Sequence, residues 1–235
     1  MNSRERAAVA AAAAALSSVE LSASQRATTH MAASILLDYP DEHRRESFTA
    51  VGASLAGLPS KIADEFTAFL DAVSGLSQRE LEAHFTATFD LKRKCCPYLT
   101  YYATGDTRKR GMALVRFIEA YRAAGWEVEP GELPDYLPMV LEFSARSDSP
   151  IAGDLLASHR DGIEVLRAAL ESFDSPYSRV ITAVCRSLPE IDDETRDRYR
   201  DLVNEGPPTE LVGLTFLGAL APYSLSGAAR EGVRV

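Results

Sequence analysis

The stretch LLASHRDGIEVLRAAL (residues 155–170) carries a long stripe of apolar side chains that recur three or four positions apart. This spacing places the side chains on one face of an α-helix. Comparable stripes occur at residues 62–73, 81–89, 114–121, 133–141 and 180–188. No stretch of similar length alternates between apolar and polar residues, so the sequence predicts an all-α protein without strands. His159 lies within the first stripe, which predicts a packed, hydrogen-bonded histidine of the core rather than a catalytic one.

Prolines fall between the stripes, near the expected helix starts or just beyond the helix ends. The sequence therefore predicts a single helical bundle of about eight helices with short connections. Within the 235 residues we expect three regions. Residues 1–23 form an alanine-rich leader that is helical or disordered, residues 24–206 form the all-helical domain, and residues 207–235 form an apolar tail broken by proline and glycine.

Charge and cysteine content limit the classes of function. The net charge of −9 argues against general binding of nucleic acid, although residues 90–122 carry a local charge of +5. Only three cysteines are present, which fits a reducing cytoplasm better than a disulfide scaffold. The alanine run of the leader is too short and too weakly apolar to cross a bilayer, so we expect no direct membrane insertion.

Adjacent cysteines, Cys95 and Cys96, are the most conspicuous candidates for chemistry. Zinc sites usually space their cysteines by two residues and add further ligands, so packing is the preferred interpretation and no metal site is expected. A thiol metal-binding module centred on this pair stays an alternative. We find no pattern of paired carboxylates, no phosphate-binding glycine loop and no metalloprotease signature, so the protein is not expected to be an enzyme. A small phosphoester or nucleotide hydrolase, with Arg108 and Arg110 as phosphate clamps, is the second alternative.

A basic helix start follows the cysteines. Asp106 or Thr107 suits the N-cap position, but the next three residues are cationic and oppose the helix dipole, each by about 0.3–1 kcal/mol. Gly111 adds about 1 kcal/mol of helix-propensity cost. Local rules broken together often mark a functional site, here one suited to an anion.

The basic residues at this predicted helix start fall on different faces of the helix. Measured against the stripe at residues 114–121, Arg110 should turn inward and require a carboxylate, for which Asp90 is the candidate. Arg108 and Lys109 should point outward, where they are available to a ligand, and a solvated face is the alternative for both. Gly111 should allow another helix to approach closely.

Three tyrosines, Tyr98, Tyr101 and Tyr102, are spaced so that one helical turn presents them together. Tyrosine combines a large apolar area with a polar tip, which suits a recognition surface. A half-buried packing stripe is the alternative for these residues.

The stretch FDLKRKCCPYLTYYATGDTRKRG (residues 89–111), followed by ALVRFIEAYRAAGWE, resembles the molybdenum-cofactor assembly chaperones of nitrate reductase, the NarJ or delta-subunit family. LPDYLPMVLEF and EGPPTEL resemble the same family, and the likeness covers roughly residues 30–210. The resemblance implies an all-helical cytoplasmic chaperone that is related to the chaperones of other redox enzymes. Its implied partner is the apo alpha subunit of respiratory nitrate reductase, bound through the N-terminal segment and kept competent for cofactor insertion.

The resemblance also implies that no cofactor is held permanently, although a molybdopterin-type cofactor could be contacted transiently. Two sets of residues are expected to serve this function. The residues expected to bind the client peptide are Phe89, Tyr98, Tyr101, Tyr102 and Arg108. The residues expected to shape the motif are Asp90, Asp106, Thr107, Arg110 and Gly111.

Overall fold

The computed structural model describes residues 16–105, 109–128 and 131–189. These residues form ten α-helices and two 3₁₀ turns, Leu55–Gly57 and Arg93–Cys95, and contain no β-strand. The all-α prediction is confirmed, although the described helices number ten rather than about eight. The helices are α1 (Ala23–Leu37), α2 (Glu42–Ser54), α3 (Ser60–Ser74), α4 (Gln78–Phe89), α5 (Leu99–Thr104), α6 (Lys109–Ala123), α7 (Leu137–Arg146), α8 (Pro150–Ser158), α9 (Arg160–Ser172) and α10 (Tyr177–Ser187).

Local sequence signals start several of these helices. Ser22 begins α1 with a capping box, in which its hydroxyl accepts from the Gln25 N–H at 3.2 Å and the Gln25 side chain accepts from the Ser22 N–H. Ser77 and Glu80 form the same reciprocal pair at the start of α4. Each box satisfies backbone N–H groups that have no partner inside the helix, which favours a helix start at that residue.

Helix α10 lies at the centre of the bundle. It packs against α1, α3 and α9, while α1 packs extensively against α7. Val180, Ile181, Val184 and Cys185 of α10 are fully buried. Burial of large apolar side chains is the main favourable term in folding, so this helix organises the core.

One buried histidine joins three of these helices. His30 of α1 is fully buried, and its Nδ1 and Nε2 each lie 2.9 Å from a serine hydroxyl, Ser144 of α7 and Ser187 of α10 respectively. The Ser187 hydroxyl already donates its hydrogen to the Val184 carbonyl at 2.7 Å. The Nε2 atom must therefore carry the hydrogen and donate to Ser187, while Nδ1 accepts from Ser144.

Two predicted stripes begin or end differently in the structure. The stripe at residues 155–170 is divided at His159 (φ −108°, ψ 12°), which ends α8 and precedes α9, so the prediction of one continuous helix is wrong there. The His159 ring still bonds to the Leu155 carbonyl at 2.8 Å and packs 4.9 Å from the Phe117 ring, which confirms a packed, hydrogen-bonded histidine. The stripe at residues 133–141 becomes helical only at Leu137.

The outer regions of the chain are described only in part. Residues 1–15 of the predicted leader, the predicted boundary at residue 206 and the tail at residues 207–235 lie outside the described residues. The part of the leader that is described runs beside α10, where the Val19 N–H donates to the Arg186 carbonyl at 2.8 Å. None of the helices in the described ranges has the length and apolar character needed to span a membrane.

Candidate functional site

The tyrosine-containing part of the motif is held by a segment that lies far away in the sequence. The Leu99 N–H donates to the Asp135 carbonyl at 3.0 Å, and the Leu137 N–H donates to the Pro97 carbonyl at 2.9 Å. These two bonds flank an isolated antiparallel bridge between Tyr98, the residue before α5, and Tyr136, the residue before α7. Among residues 133–136 the Asp135 carbonyl binds the motif, the Pro134 carbonyl accepts from the Tyr121 hydroxyl at 3.2 Å, and the Tyr136 N–H donates to the Leu133 carbonyl at 3.0 Å. These backbone groups are therefore satisfied without a helix.

Asp135 caps the short helix α5 from outside. Its side chain is fully buried, and Oδ2 accepts from the Thr100 N–H at 3.0 Å and from the Thr100 hydroxyl at 2.6 Å. Helix α5 has six residues, and its own N-cap residue, Tyr98, makes no side-chain capping bond. A carboxylate at a helix N-terminus satisfies unpaired N–H groups and complements the helix dipole. Asp135 was not among the residues predicted to serve the site, although its position in LPDYLP, after a proline and before a helix, was a possible signal.

Tyr101 and Tyr102 lie in the interior, each 3% exposed, so the packing-stripe alternative describes their location. The Tyr102 hydroxyl donates to the Cys96 carbonyl at 2.6 Å, and the Tyr101 hydroxyl accepts from Arg93 Nε at 2.7 Å. Both rings lie inside rather than on an exposed surface, and Tyr102 packs against α9 at Gly162. A direct client-binding role for them is untested and stays a prediction.

Gly162 of α9 allows this close packing. A Cβ atom placed on Gly162 would lie 3.0 Å from Tyr102 Cβ, so only glycine fits without a shift of the neighbouring helix. Gly111, which we expected to play this part, is exposed, and a Cβ there would meet no described atom within 4 Å. The expected close approach at Gly111 is therefore wrong, and the structure has it at Gly162.

Phe89 also belongs to the core. It is 6% exposed, and its ring lies 4.9 Å from the Tyr177 ring and 4.8 Å from the Phe85 ring. It anchors the end of α4 against α10. Contact between Phe89 and a client stays a prediction.

Tyr98 is the motif tyrosine that reaches the surface. Its half-buried ring lies 5.4 Å from the Tyr136 ring and 5.6 Å from the Arg110 guanidinium carbon, while its hydroxyl donates to Glu132 Oε1 at 3.2 Å. We refer to Tyr98, Tyr136, Arg110 and Glu132 as the Tyr98 patch. Burial and the Glu132 carboxylate raise the pKa of Tyr98 to about 12, so near pH 7 the hydroxyl remains a hydrogen-bond donor.

Arg110 is half-buried beneath the start of α6, as the helical phase predicted. The contact described for its guanidinium is the Tyr98 ring, a cation–π arrangement. Asp90 is exposed at the C-terminal end of α4, where its N–H donates to the Thr86 carbonyl at 3.0 Å. Pairing of Arg110 with Asp90 stays a prediction. Asp106, Thr107 and Arg108 lie outside the described residues.

The cysteine pair sits at the base of the motif. Cys95 is fully buried, and burial raises the pKa of its thiol to about 11, whereas Cys96 is half-buried. A thiol with that pKa is protonated near pH 7 and is a poor nucleophile and metal ligand. Within the described ranges, no group of three or more histidine, cysteine, aspartate or glutamate side chains is arranged to hold a metal ion.

The residues just before the cysteines form a mixed apolar and basic surface with Phe173. Leu91 is 77% exposed and Phe173 is 43% exposed, and Lys92 Nζ lies 4.5 Å from the centre of the Phe173 ring. Lys94 is also exposed. Together with the Tyr98 patch, this surface offers aromatic area and charges of both signs, which is a suitable composition for binding a peptide.

The comparisons with known proteins confirm the resemblance to the nitrate reductase delta-subunit family. A family model described as the nitrate reductase delta subunit matches residues 55–183. The chain is 30% identical over 172 residues to a Bacillus subtilis protein named as a probable nitrate reductase molybdenum cofactor assembly chaperone NarJ, an alignment that covers 73% of this chain and 94% of the relative.

Two further relatives share shorter regions. Identity is 31% over 147 residues to the Escherichia coli molybdenum cofactor assembly chaperone NarJ, covering 61% of this chain and 62% of that protein. Identity is 34% over 155 residues to the Mycobacterium tuberculosis nitrate reductase-like protein NarX, covering 66% of this chain but 23% of the relative. The matched region contains α3 to α9 and most of α10, and the chain therefore belongs to the nitrate reductase delta subunit family.

Proposed function

We propose that the protein is a system-specific cytoplasmic chaperone for the apo catalytic (alpha) subunit of respiratory nitrate reductase. It binds that subunit, including its N-terminal segment, and keeps it competent for molybdenum-cofactor insertion and complex assembly. Membership of the family carries this proposal, together with the names of the Bacillus and Escherichia relatives as assembly chaperones.

The arrangement of the motif supports binding rather than catalysis. Its thiol at Cys95 and its phenol at Tyr98 have pKa values raised to about 11 and about 12, so neither is ionised near pH 7. General base or nucleophilic catalysis requires a group that is ionised or activated at the working pH. We infer from the names of the relatives as assembly chaperones that the protein is not an enzyme and that it holds no permanent cofactor, while a transient contact with a molybdopterin-type cofactor involves the cations around Arg108.

The Tyr98 patch is the surface that we propose for the client. Its two rings supply apolar area, and Arg110 and Glu132 supply one charge of each sign at its edge. An amphipathic peptide that binds as a helix in a groove needs these features, namely apolar anchors and charges that fix its direction. Arg108 precedes α6 in the sequence and lies outside the described residues, and its contact with the client is part of our proposal.

Calorimetry with a synthetic peptide of the alpha-subunit N-terminus tests the proposal. We expect the full chain to bind the peptide and Tyr98→Ala to weaken the affinity by roughly 10- to 30-fold, since an aromatic anchor in an interface contributes about 2 kcal/mol. Tyr39→Ala is the matched control, because Tyr39 is 45% exposed and belongs to the α1–α2 connection. Absence of binding at hundreds of micromolar would count against the chaperone function, and an unchanged affinity for Tyr98→Ala would move the site elsewhere.

A further inference from the structure

The chain that precedes α1 runs beside α10 and leads into a groove. The Val19 N–H donates to the Arg186 carbonyl at 2.8 Å, which fixes the chain at the C-terminal end of α10. Followed back from Val19, the chain reaches Leu16, whose half-buried side chain lines a partly open groove of about 880 Å³ between α3, α9 and α10. Leu16 is the first residue that the structure describes, so the preceding part of the chain continues from inside this groove.

Two helices supply the floor of the groove with short side chains. On α3 these are Ala68 and Ala72, which lie four residues apart and therefore on one helical face. On α10 they are Ser178 and Thr182, which are also four residues apart. Short side chains allow the axes of packed helices to approach to about 8 Å. The groove therefore suits a third helix, provided that its own side chains are small.

The charges around the groove are balanced. Its lining contains three arginines and three carboxylates, namely Arg167, Arg179, Arg186, Glu65, Glu171 and Asp174. Glu65 lies 3.3 Å from Nη1 of Arg179 and 3.6 Å from Nη2 of Arg186, while Glu171 pairs with Arg167. A lining without net charge favours neither an anion nor a cation, so an uncharged occupant fits it best.

The alanine run before Leu16 has the composition that such a groove requires. Residues 7–15 read AAVAAAAAA and include no charged side chain. Alanine has the highest helix propensity, but a helix of this length is not stable alone in water and needs a surface to pack against. Val9 precedes Leu16 by seven positions, or two helical turns, so a helix that continues from Leu16 presents both side chains on one face, with Ala12 between them.

The path of the chain matches the length of the floor. Because Arg186 Nη2 lies 3.6 Å from Glu65 Oε1, the end of α10 that binds Val19 is level with Glu65 of α3. Ala72 lies seven residues, or about 10.5 Å, further along the same face of α3. A helix that runs back from Leu16 to Val9 covers the same distance.

We propose that residues 7–15 form a helix that continues from Leu16 and fills the groove between α3, α9 and α10, with Val9 and Ala12 packed against its short side chains. The occupant is this segment of the chain itself, and Ala72 lies beneath it. This packing is independent of the proposed chaperone function and of the Tyr98 patch. It makes the alanine run a part of the folded domain, and it closes the groove to other ligands.

Alkylation of an introduced cysteine in the full chain tests this proposal. Ala72→Cys places a thiol where the described residues leave the position exposed and the proposed helix covers it. Thr67→Cys is the matched control, because Thr67 is exposed on α3 and is rotated by about 140° from Ala72. We expect iodoacetamide to modify Ala72→Cys about tenfold more slowly than Thr67→Cys, since a covered thiol reacts only while its cover is detached. Peptide mass spectrometry separates these thiols from the native cysteines, and equal rates would overturn the proposal.

A second substitution identifies the occupant. In the proposed helix Ala12 is rotated by about 40° from Leu16 and faces the groove, whereas Ala14 is rotated by about 160° and faces away. Ala12→Glu and Ala14→Glu change the net charge and the helix propensity equally. We expect Ala12→Glu to raise the alkylation rate of Ala72→Cys close to that of Thr67→Cys, because it would bury a charge, and Ala14→Glu to leave the protection in place. Equal effects of the two substitutions would contradict the proposed packing.

Other occupants of the groove would give different results, and each of these would overturn the assignment. Protection of Ala72→Cys that weakens when the protein is diluted would indicate a second copy of the chain. Protection that appears only after addition of the alpha-subunit peptide would indicate the client. Protection that survives Ala12→Glu but is lost when residues 207–235 are removed would indicate the C-terminal region.

Discussion

His30 provides a sharp test of the packing described above, through the dependence of stability on pH. Burial, with a smaller contribution from Arg26, lowers the pKa of His30 from 6.5 to about 4. The folded protein therefore keeps the ring neutral at a pH where the unfolded chain binds a proton. Stability contributed by this neutral ring is complete above pH 6.5 and is lost as the pH falls from 6.5 toward 4.

The size of the effect follows from the two pKa values. At pH 5 the unfolded chain gains about 2 kcal/mol from protonating His30, while the folded chain gains almost nothing. His30→Gln removes this titration but keeps a side-chain donor near Ser187. We expect the variant to be less stable than the parent by about 1–2 kcal/mol at pH 7, because the bond to Ser144 is lost. The free energy of unfolding of the variant should then fall by about 2 kcal/mol less than that of the parent between pH 7 and pH 5.

Urea denaturation at pH 7 and pH 5 measures both quantities. His43→Gln, at an exposed position of α2, is the matched control and should leave the pH-dependent loss of the parent intact. His84 and His159 are present in every variant, so their own lowered pKa values cancel in the comparison. An identical pH-dependent loss in His30→Gln and in the parent would refute the buried, neutral histidine that joins α1, α7 and α10.

Three further perturbations test the motif. Asp135→Asn removes the charge that caps α5 through Thr100, and urea denaturation should show a loss of about 2 kcal/mol. Gly162→Ala places a Cβ 3.0 Å from Tyr102 Cβ, and the same measurement should show a loss of about 1–3 kcal/mol because α5 and α9 must separate. Cys95, with its pKa raised to about 11, should resist iodoacetamide at pH 7 in the folded protein, and mass spectrometry should find it modified at that pH only after unfolding in urea.

Each of these results has a matched comparison. Gly153→Ala in α8 should be neutral or stabilising, because a Cβ there meets no described atom within 4 Å. Asp154→Asn, at an exposed position of the same helix, should leave stability within about 0.5 kcal/mol of the parent. Equal effects in Gly153→Ala and Gly162→Ala, or in Asp154→Asn and Asp135→Asn, would contradict the contacts assigned here. Rapid alkylation of Cys95 in the folded protein would contradict its burial.

The helical class of the fold could be predicted because apolar side chains recur with a helical period within short stretches of the sequence. Phe66 and Phe69 lie on one face of α3 whichever way that helix packs, and both are fully buried. The break at His159 could not be predicted in the same way, since the apolar spacing continues across it. Helix count was underestimated for this reason and because α5 is too short to show a period.

The candidate site depends on contacts that a local pattern does not contain. The spacing of Tyr98, Tyr101 and Tyr102 places them within one turn, but it does not say which side of that turn faces the core. That choice is made by Asp135, which is 35 positions from Thr100 in the sequence, and by the glycine of α9. A pattern of residue types predicts a shared face, while tertiary contacts decide whether the face is inside or outside.

The capping of α5 by Asp135 has a consequence for any attempt to isolate or transplant the motif. A six-residue helix is far below the length at which helices are stable alone in water, so a peptide copy of the tyrosine segment would not keep its shape. Substitutions at Thr100 and Asp135 should be non-additive in a double-mutant cycle, because both remove the bond from the Thr100 hydroxyl, while the bond from the Thr100 N–H is lost only with the Asp135 side chain. The two stretches YLTYY and LPDYLP therefore form one structural unit, and a graft onto another helical scaffold would have to carry both.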